Sequence, residues 1–314
     1  MHRPQKITIL AGLSIAAVVI LLAAWCFADV LFRDRLFACR DTAYLYYPLY
    51  QFVEQEWSAG RVPLWSPLEN CGTPLAANAT AAVFYPGKLL FRLPIDYGAA
   101  FRAYVVLHVL LAAGMSFLLA RRWNRTIPSA GLAAIAYAFG GCVLFQYCNV
   151  IYLVSAAWLP AALATADRAL VNGCLRSMLA CGASLALMVL GGEPQTAYHA
   201  FLLIGLYALL LRRTAPQPEP GQRQPHRWRH LVGIAVVALL LSAVQVLPSA
   251  EYASRSDRAA YEQPRSVWEL AAAITSPASV DQATSDWSRA LRVASPPASS
   301  HESGTYQFSL SPWR

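Results

Sequence analysis

Seven stretches of this chain are too apolar to be left in water and too long to be hidden in a small core. The first covers residues 7–28 and carries no charge. At about 1.5 Å per residue, a helix over that span crosses a hydrocarbon layer of about 30 Å. It follows Arg3 and Lys6, as a signal peptide would. A signal core is shorter, and "AAWCFAD" is a poor cleavage site, so an uncleaved anchor is predicted. Six further runs cover residues 99–120, 130–145, 151–166, 178–190, 197–211 and 231–247.

The connections between these runs are sorted by charge. Counting from an N-terminus inside, every second connection faces the same side. Those connections hold Arg121, Arg122 and Arg125; then Arg168 and Arg176; then Arg212, Arg213, Arg223, Arg227 and Arg229. The opposite short connections, "QYCN" and "GGEPQ", hold no Lys or Arg. That alternation is the positive-inside pattern of a multi-pass membrane protein. It also explains the net charge of +8, so no nucleic-acid partner is expected. Composition agrees: 57% of residues are hydrophobic and 13% charged, against about 25% charged in soluble domains.

The predicted fold is therefore an all-α polytopic membrane protein with about seven transmembrane helices and its N-terminus inside. Residues 1–30 form the first anchor, and 31–98 a long extracytoplasmic loop. Residues 99–248 hold six further spans. Residues 249–314 form an extracytoplasmic tail rich in Ser, Ala and Pro.

The long loop carries the chemistry. Asp41 sits in "RDTAYLYYPLY", an acid among aromatic rings shortly after the first span. "PLYQFVEQEWSAG" reads as a short helix begun by Pro48 and ended by Gly60. Leu49, Phe52, Val53 and Trp57 then share one stripe, and such a helix suits a membrane surface. Glu56 falls inside that stripe and Glu54 on the polar side. An acid in that position is paired, snorkelling or functional. Lys88 and Arg92 in "FYPGKLLFRLP" are either interfacial anchors or ligands for a lipid-linked phosphate. Arg255 and Arg258, after the last run, belong to a solvated face or to a phosphate site. Glu193, at the "GGEPQ" turn with Gln195 and His199 nearby, is a second-carboxylate candidate if the fold brings it to Asp41. His108 lies inside the second run, where an interhelical hydrogen bond is expected. Seven cysteines show no CxxC spacing or His cluster, so no zinc site is written. Cys39 and Cys71 share the loop and are a candidate disulfide.

Several spaced motifs carry a resemblance. In order they are the acid after the first run, "YYPLY", "GRVPLWSP", "CGTPLAAN", "AAVFYP", "KLLF", "GGCVLFQYCNVIYLVSAAWLP", "LGGEPQTAYHAFLL" and "LSAVQVLPSAEYASRSDR". Together they resemble the YfhO-type bacterial membrane proteins, within the GT-C type glycosyltransferases, over nearly all of residues 1–260. The resemblance implies an enzyme of the cytoplasmic membrane. It would take a sugar from a polyprenyl-phosphate donor on the outer face and pass it to a cell-envelope polymer or lipid acceptor. It implies that Asp41 is the catalytic residue, acting as a base or holding a divalent cation. Ser66 and Glu193 stand where the family pattern has Asn and His. Family members run longer, so the resemblance implies the N-terminal part of such a protein, in a form without activity if the rest is required. A non-catalytic envelope protein and a transporter or flippase are the competing readings.

Overall fold

The computed structural model describes residues 3–33, 35–68, 71–214 and 226–255. The chain divides after Ser256, and the second unit, Asp257–Arg314, lies outside the described residues. Among the described residues there is no strand, only one bridge between Ser66 and Thr73.

Each predicted run is helical. The helices are α1 (Arg3–Cys26), a short α2 (Ala28–Phe32), α3 (Tyr47–Ser58) in the loop, and α4 (Tyr97–Arg122). Then come α5 (Ile127–Phe139), α6 (Gly141–Leu144), α7 (Val150–Asn172), α8 (Leu175–Leu190), α9 (Pro194–Thr214) and α10 (Arg227–Ser254). Four are long and apolar enough to cross a membrane: α4, α7, the Pro194–Leu211 part of α9, and α10. A fifth is added if α5 and Gly141–Cys148, which meet at a 44° bend, count together. Leu10–Cys26 and Leu175–Leu190 are apolar but shorter. The protein is thus all-helical, with several helices compatible with a bilayer.

Local sequence sets these boundaries. Asp96 opens α4 by accepting from the Ala99 N–H at 3.2 Å, and Thr126 caps α5 through Ser129. The bend falls at Gly140, where a Cβ would stand 2.4 Å from the Ala136 carbonyl oxygen. Only glycine leaves that path open. Inside α7, Pro160 has no N–H for the Ala156 carbonyl. The Tyr137 hydroxyl of α5 donates to that carbonyl at 2.8 Å, so the interruption is repaired by a neighbouring helix.

Helix α7 is the central element, packing on α4, α8 and α9, while α10 lies along α8. Two apolar clusters result. One joins the loop, α1, α4, α5 and α7; the other joins α7, α8, α9 and α10. The outer flanks of α9 and α10 remain apolar and uncovered, with Leu206, Leu209, Leu239 and Leu240 all exposed. Such faces are stable against lipid rather than water.

The bundle has two chemically distinct ends. At one end the loop folds over the helix termini. Thr42 Oγ1 donates to the Tyr147 carbonyl at 2.5 Å. Gln245 Nε2 reaches the Ala76 carbonyl at 3.0 Å, and Ser249 Oγ reaches that of Ala77 at 2.7 Å. At the other end Arg122 pairs with the buried Asp167 at 2.5 Å, and Tyr207 donates to the same carboxylate at 2.5 Å.

Candidate functional site

The segment "RDTAYLYYPLY" is built in three steps. Arg40 adopts φ +53°, a left-handed conformation rare outside glycine. Asp41 then begins a turn of π-helix, Thr42–Tyr46, which runs directly into α3. Strained backbone and π-turns both concentrate at functional sites, because surrounding packing must hold them in place. Here the packing is visible. Thr42 is fully buried, and the rings of Tyr47, Tyr50, Phe91, Tyr97, Phe101 and Tyr104 meet at centroid distances of 5.0–6.4 Å. Tyr47 and Tyr50 are therefore mortar between α3 and the start of α4, while Tyr44 is exposed. Asp41 itself stays exposed, and among the described residues nothing forms an ion pair with it.

Tyr46 ends the same π-turn and packs on Tyr50, with ring centroids 5.9 Å apart. It is buried, and its phenol is pushed up first by that burial, then by the charges of Asp41, Tyr152 and Glu193. Glu193 is buried at the turn between α8 and α9, where its Oε1 accepts from the Thr196 N–H at 3.2 Å. Gly192 makes that turn possible. It has φ +109°, and a Cβ would stand 2.5 Å from Ile151 Cγ2 and 3.0 Å from the Ala79 carbonyl oxygen. The loop and the α8–α9 turn thus meet at a position where a side chain has no room.

The other candidates separate. Glu56 accepts from Arg61 at 2.7 and 2.9 Å, which lowers its pKa; it is the paired acid of α3. Glu54 instead lines a cavity of about 320 Å³ with Tyr50, Trp57, Phe84, Lys88 and Arg92. Lys88 is buried, donates to the Ala81 carbonyl, and lies 3.4 Å from the Tyr50 ring centroid. Burial pushes its amine well below the usual lysine value, with Glu54 opposing. Lys88 is thus committed to the loop's own packing, while Arg92 is exposed at the rim. Arg255 pairs with Glu251 at 2.6 Å and lines a different cavity, between the loop and α10. Arg258 lies outside the described residues. Asp41 lines neither cavity. Among the described residues no three His, Cys, Asp or Glu side chains converge, and one Glu193 oxygen is already a helix cap. These residues do not form a cage for a divalent cation.

His108 is satisfied, but by the loop rather than by another helix. Its Nδ1 donates to the Tyr104 carbonyl at 2.7 Å, which leaves Nε2 to accept from the Tyr85 hydroxyl at 2.8 Å. Tyr85 in turn accepts from Trp158 Nε1 at 2.9 Å. No property of residue 108 alone names Tyr85 as its partner.

Cys39 also has a different neighbour from the expected one. Its thiol lies beside that of the buried Cys148, with Tyr147 touching both. Both thiols are free here, as is that of Cys71. On exposure to a thiol oxidant, Cys39 and Cys148 are expected to form the disulfide, and Cys71 to stay alkylatable. Non-reducing peptide mapping reads this directly, and a Cys39–Cys71 crosslink would overturn it.

Comparison with protein-family models, curated proteins and solved structures finds no match.

Proposed function

We propose that this chain is a membrane glycosyltransferase-like protein of the GT-C type, with the YfhO-type resemblance as its family reading. In this proposal seven helices span a bacterial cytoplasmic membrane, the N-terminus and the arginine-rich end face the cytoplasm, and the loop end faces out. A polyprenyl-phosphate sugar would be the donor and an envelope polymer or lipid the acceptor.

The observation that carries the reading is an exposed acid, Asp41, set on a packed π-turn at the end of the bundle that the loop covers. Glu193 is buried at the α8–α9 turn, and the loop comes close to that turn, with Gly192 beside the Ala79 carbonyl. Asp41, exposed and without an ion-pair partner among the described residues, is suited to take the proton from an acceptor hydroxyl. The freed oxygen attacks the anomeric carbon as its bond to the donor phosphate breaks, and the phosphate leaves with the bonding pair. Arg40, exposed and adjacent in sequence, is a candidate to meet that charge. The donor's lipid tail remains in the bilayer, which suits a site at the helix ends.

The transporter reading has less support. Transport sites place ionisable groups near the midplane. Here both His108 nitrogens are engaged, one by the Tyr104 carbonyl of its own helix and one by Tyr85 of the loop, and Asp167 is held by Arg122 and Tyr207 at the other end.

The test has two parts. Cysteines are placed at the exposed Tyr44 and at Arg125 of an otherwise cysteine-free chain, and intact cells are treated with an impermeant maleimide. Labelling at 44 and not at 125 is expected; the reverse sinks the orientation. Membranes containing the chain are then given labelled polyprenyl-phosphate sugar. Transfer above empty membranes is expected, and its absence leaves a non-catalytic envelope protein.

A further inference from the structure

The end of the bundle opposite the loop carries a cavity that the proposed reaction does not use. It has a volume of about 640 Å³ and opens between the last turns of α4, the end of α7 and the start of α8. Arg121, Arg122, Arg168 and Arg176 all line it. Arg122 is neutralised by Asp167 through one oxygen, while the other oxygen accepts from Tyr207. Arg121 donates to the Arg125 carbonyl, which leaves its charge uncancelled. Arg168 and Arg176 are exposed, and no ion pair holds either of them among the described residues. Four guanidiniums against one carboxylate leave an excess of three positive charges around one opening.

The rest of the wall is of another kind. Met115, Leu118, Ala161, Ala164 and Ala180 give it an apolar, small-residue side. That side runs up the flank of α4 and α7, two helices of membrane length. Leu118 and Leu175 are exposed beside it, and Trp123 and Trp228 are exposed at the same end. Exposed tryptophans at helix ends suit the level of lipid headgroups.

A ligand for this cavity must therefore combine an anion with an apolar chain. A free anion would leave the alanine and leucine wall unmatched. Arginine also favours phosphate, which it can grip with two parallel N–H donors. We propose that this cavity binds an anionic glycerophospholipid of the surrounding leaflet. Arg121, Arg168 and Arg176 hold its phosphate, and an acyl chain lies along Leu118, Ala161 and Ala164. Basic pockets between spanning helices are a recurring way to hold such headgroups. The site is separate from Asp41 and does not depend on catalysis.

The full chain, purified in a neutral detergent and stripped of lipid, provides the test. Its thermal midpoint is followed against phosphatidylglycerol, phosphatidylcholine or inorganic phosphate, and native mass spectrometry counts retained lipid. Phosphatidylglycerol is expected to raise the midpoint saturably by several degrees and to remain bound, while the other two do neither. The double variant Arg168→Ala/Arg176→Ala should lose more than half of that rise. Arg227→Ala/Arg229→Ala removes the same charge outside the cavity and should keep it. Equal effects of the two lipids, equal losses in the two variants, or a matching rise with inorganic phosphate would each overturn the proposal. Because the mass spectra of the parent chain report lipid retention directly, the conclusion survives poor folding of either variant.

Discussion

Asp41→Asn is expected to lower sugar transfer by about 10²–10⁴-fold, the range for loss of a positioned general base. The substitution keeps the shape of the side chain and removes its ability to hold a proton. The fall should appear in kcat, with the KM for the lipid-linked donor little changed, because no part of the donor need be held by that carboxylate. Stability should stay within about 0.5 kcal/mol of the parent, as for surface changes away from packed features. The structural reason is specific. Asp41 begins the π-turn without a side-chain cap, and it is exposed, so the turn is held by Thr42 on Tyr147 and by the buried rings. A drop in activity with an unchanged thermal midpoint therefore assigns the effect to chemistry. Equal transfer by parent and variant would remove Asp41 from the mechanism.

Much of this architecture was legible in the sequence because burial in a bilayer demands unbroken apolar length. All seven runs are helices, and the α3 stripe is buried at Leu49 and Val53, but inside the protein core rather than on a membrane surface. Where length arguments weaken, local chemistry decides. The third run is bent at Gly140, and the fifth, Leu175–Leu190, is short for a span. The site was harder to read. The stripe put Glu56 on the apolar face, but its partner Arg61 lies beyond the helix end, reached only after Gly60 turns the chain at φ +73°. Glu54, on the polar side of the same wheel, faces Lys88 across a cavity that later loop residues enclose. The approach of the loop to the α8–α9 turn is seen at Gly192 and Ala79. Gly192 permits that contact, yet a glycine in sequence does not say what approaches it. Cys148 beside Cys39 has the same origin, since the Thr42–Tyr147 bond brings two distant segments together.

Tyr85→Phe is expected to be the most destabilising conservative change in the loop, by about 2–4 kcal/mol. The ring would stay, with its contacts to Tyr104 and His108 at centroid distances of 6.3 and 5.7 Å. What leaves is one oxygen that serves two buried groups. His108 Nε2 loses its donor and Trp158 Nε1–H loses its acceptor. Each buried polar group left without a partner costs about 1–3 kcal/mol, and half-buried Trp158 belongs at the lower end. The phenol is suited to this task because burial pushes its pKa up to about 12, so it remains a donor at any physiological pH. Trp158→Phe should cost less through polarity, since Tyr85 would still donate to His108. Adding His108→Leu to Tyr85→Phe should recover part of the loss, because the orphaned imidazole nitrogen is removed with it. Unfolding of the purified chain in detergent, with a double-mutant cycle over Tyr85 and His108, measures these differences. A Tyr85→Phe variant within about 0.5 kcal/mol of the parent would mean that the chain from Trp158 to Tyr104 carries little of the energy that holds the loop on the bundle.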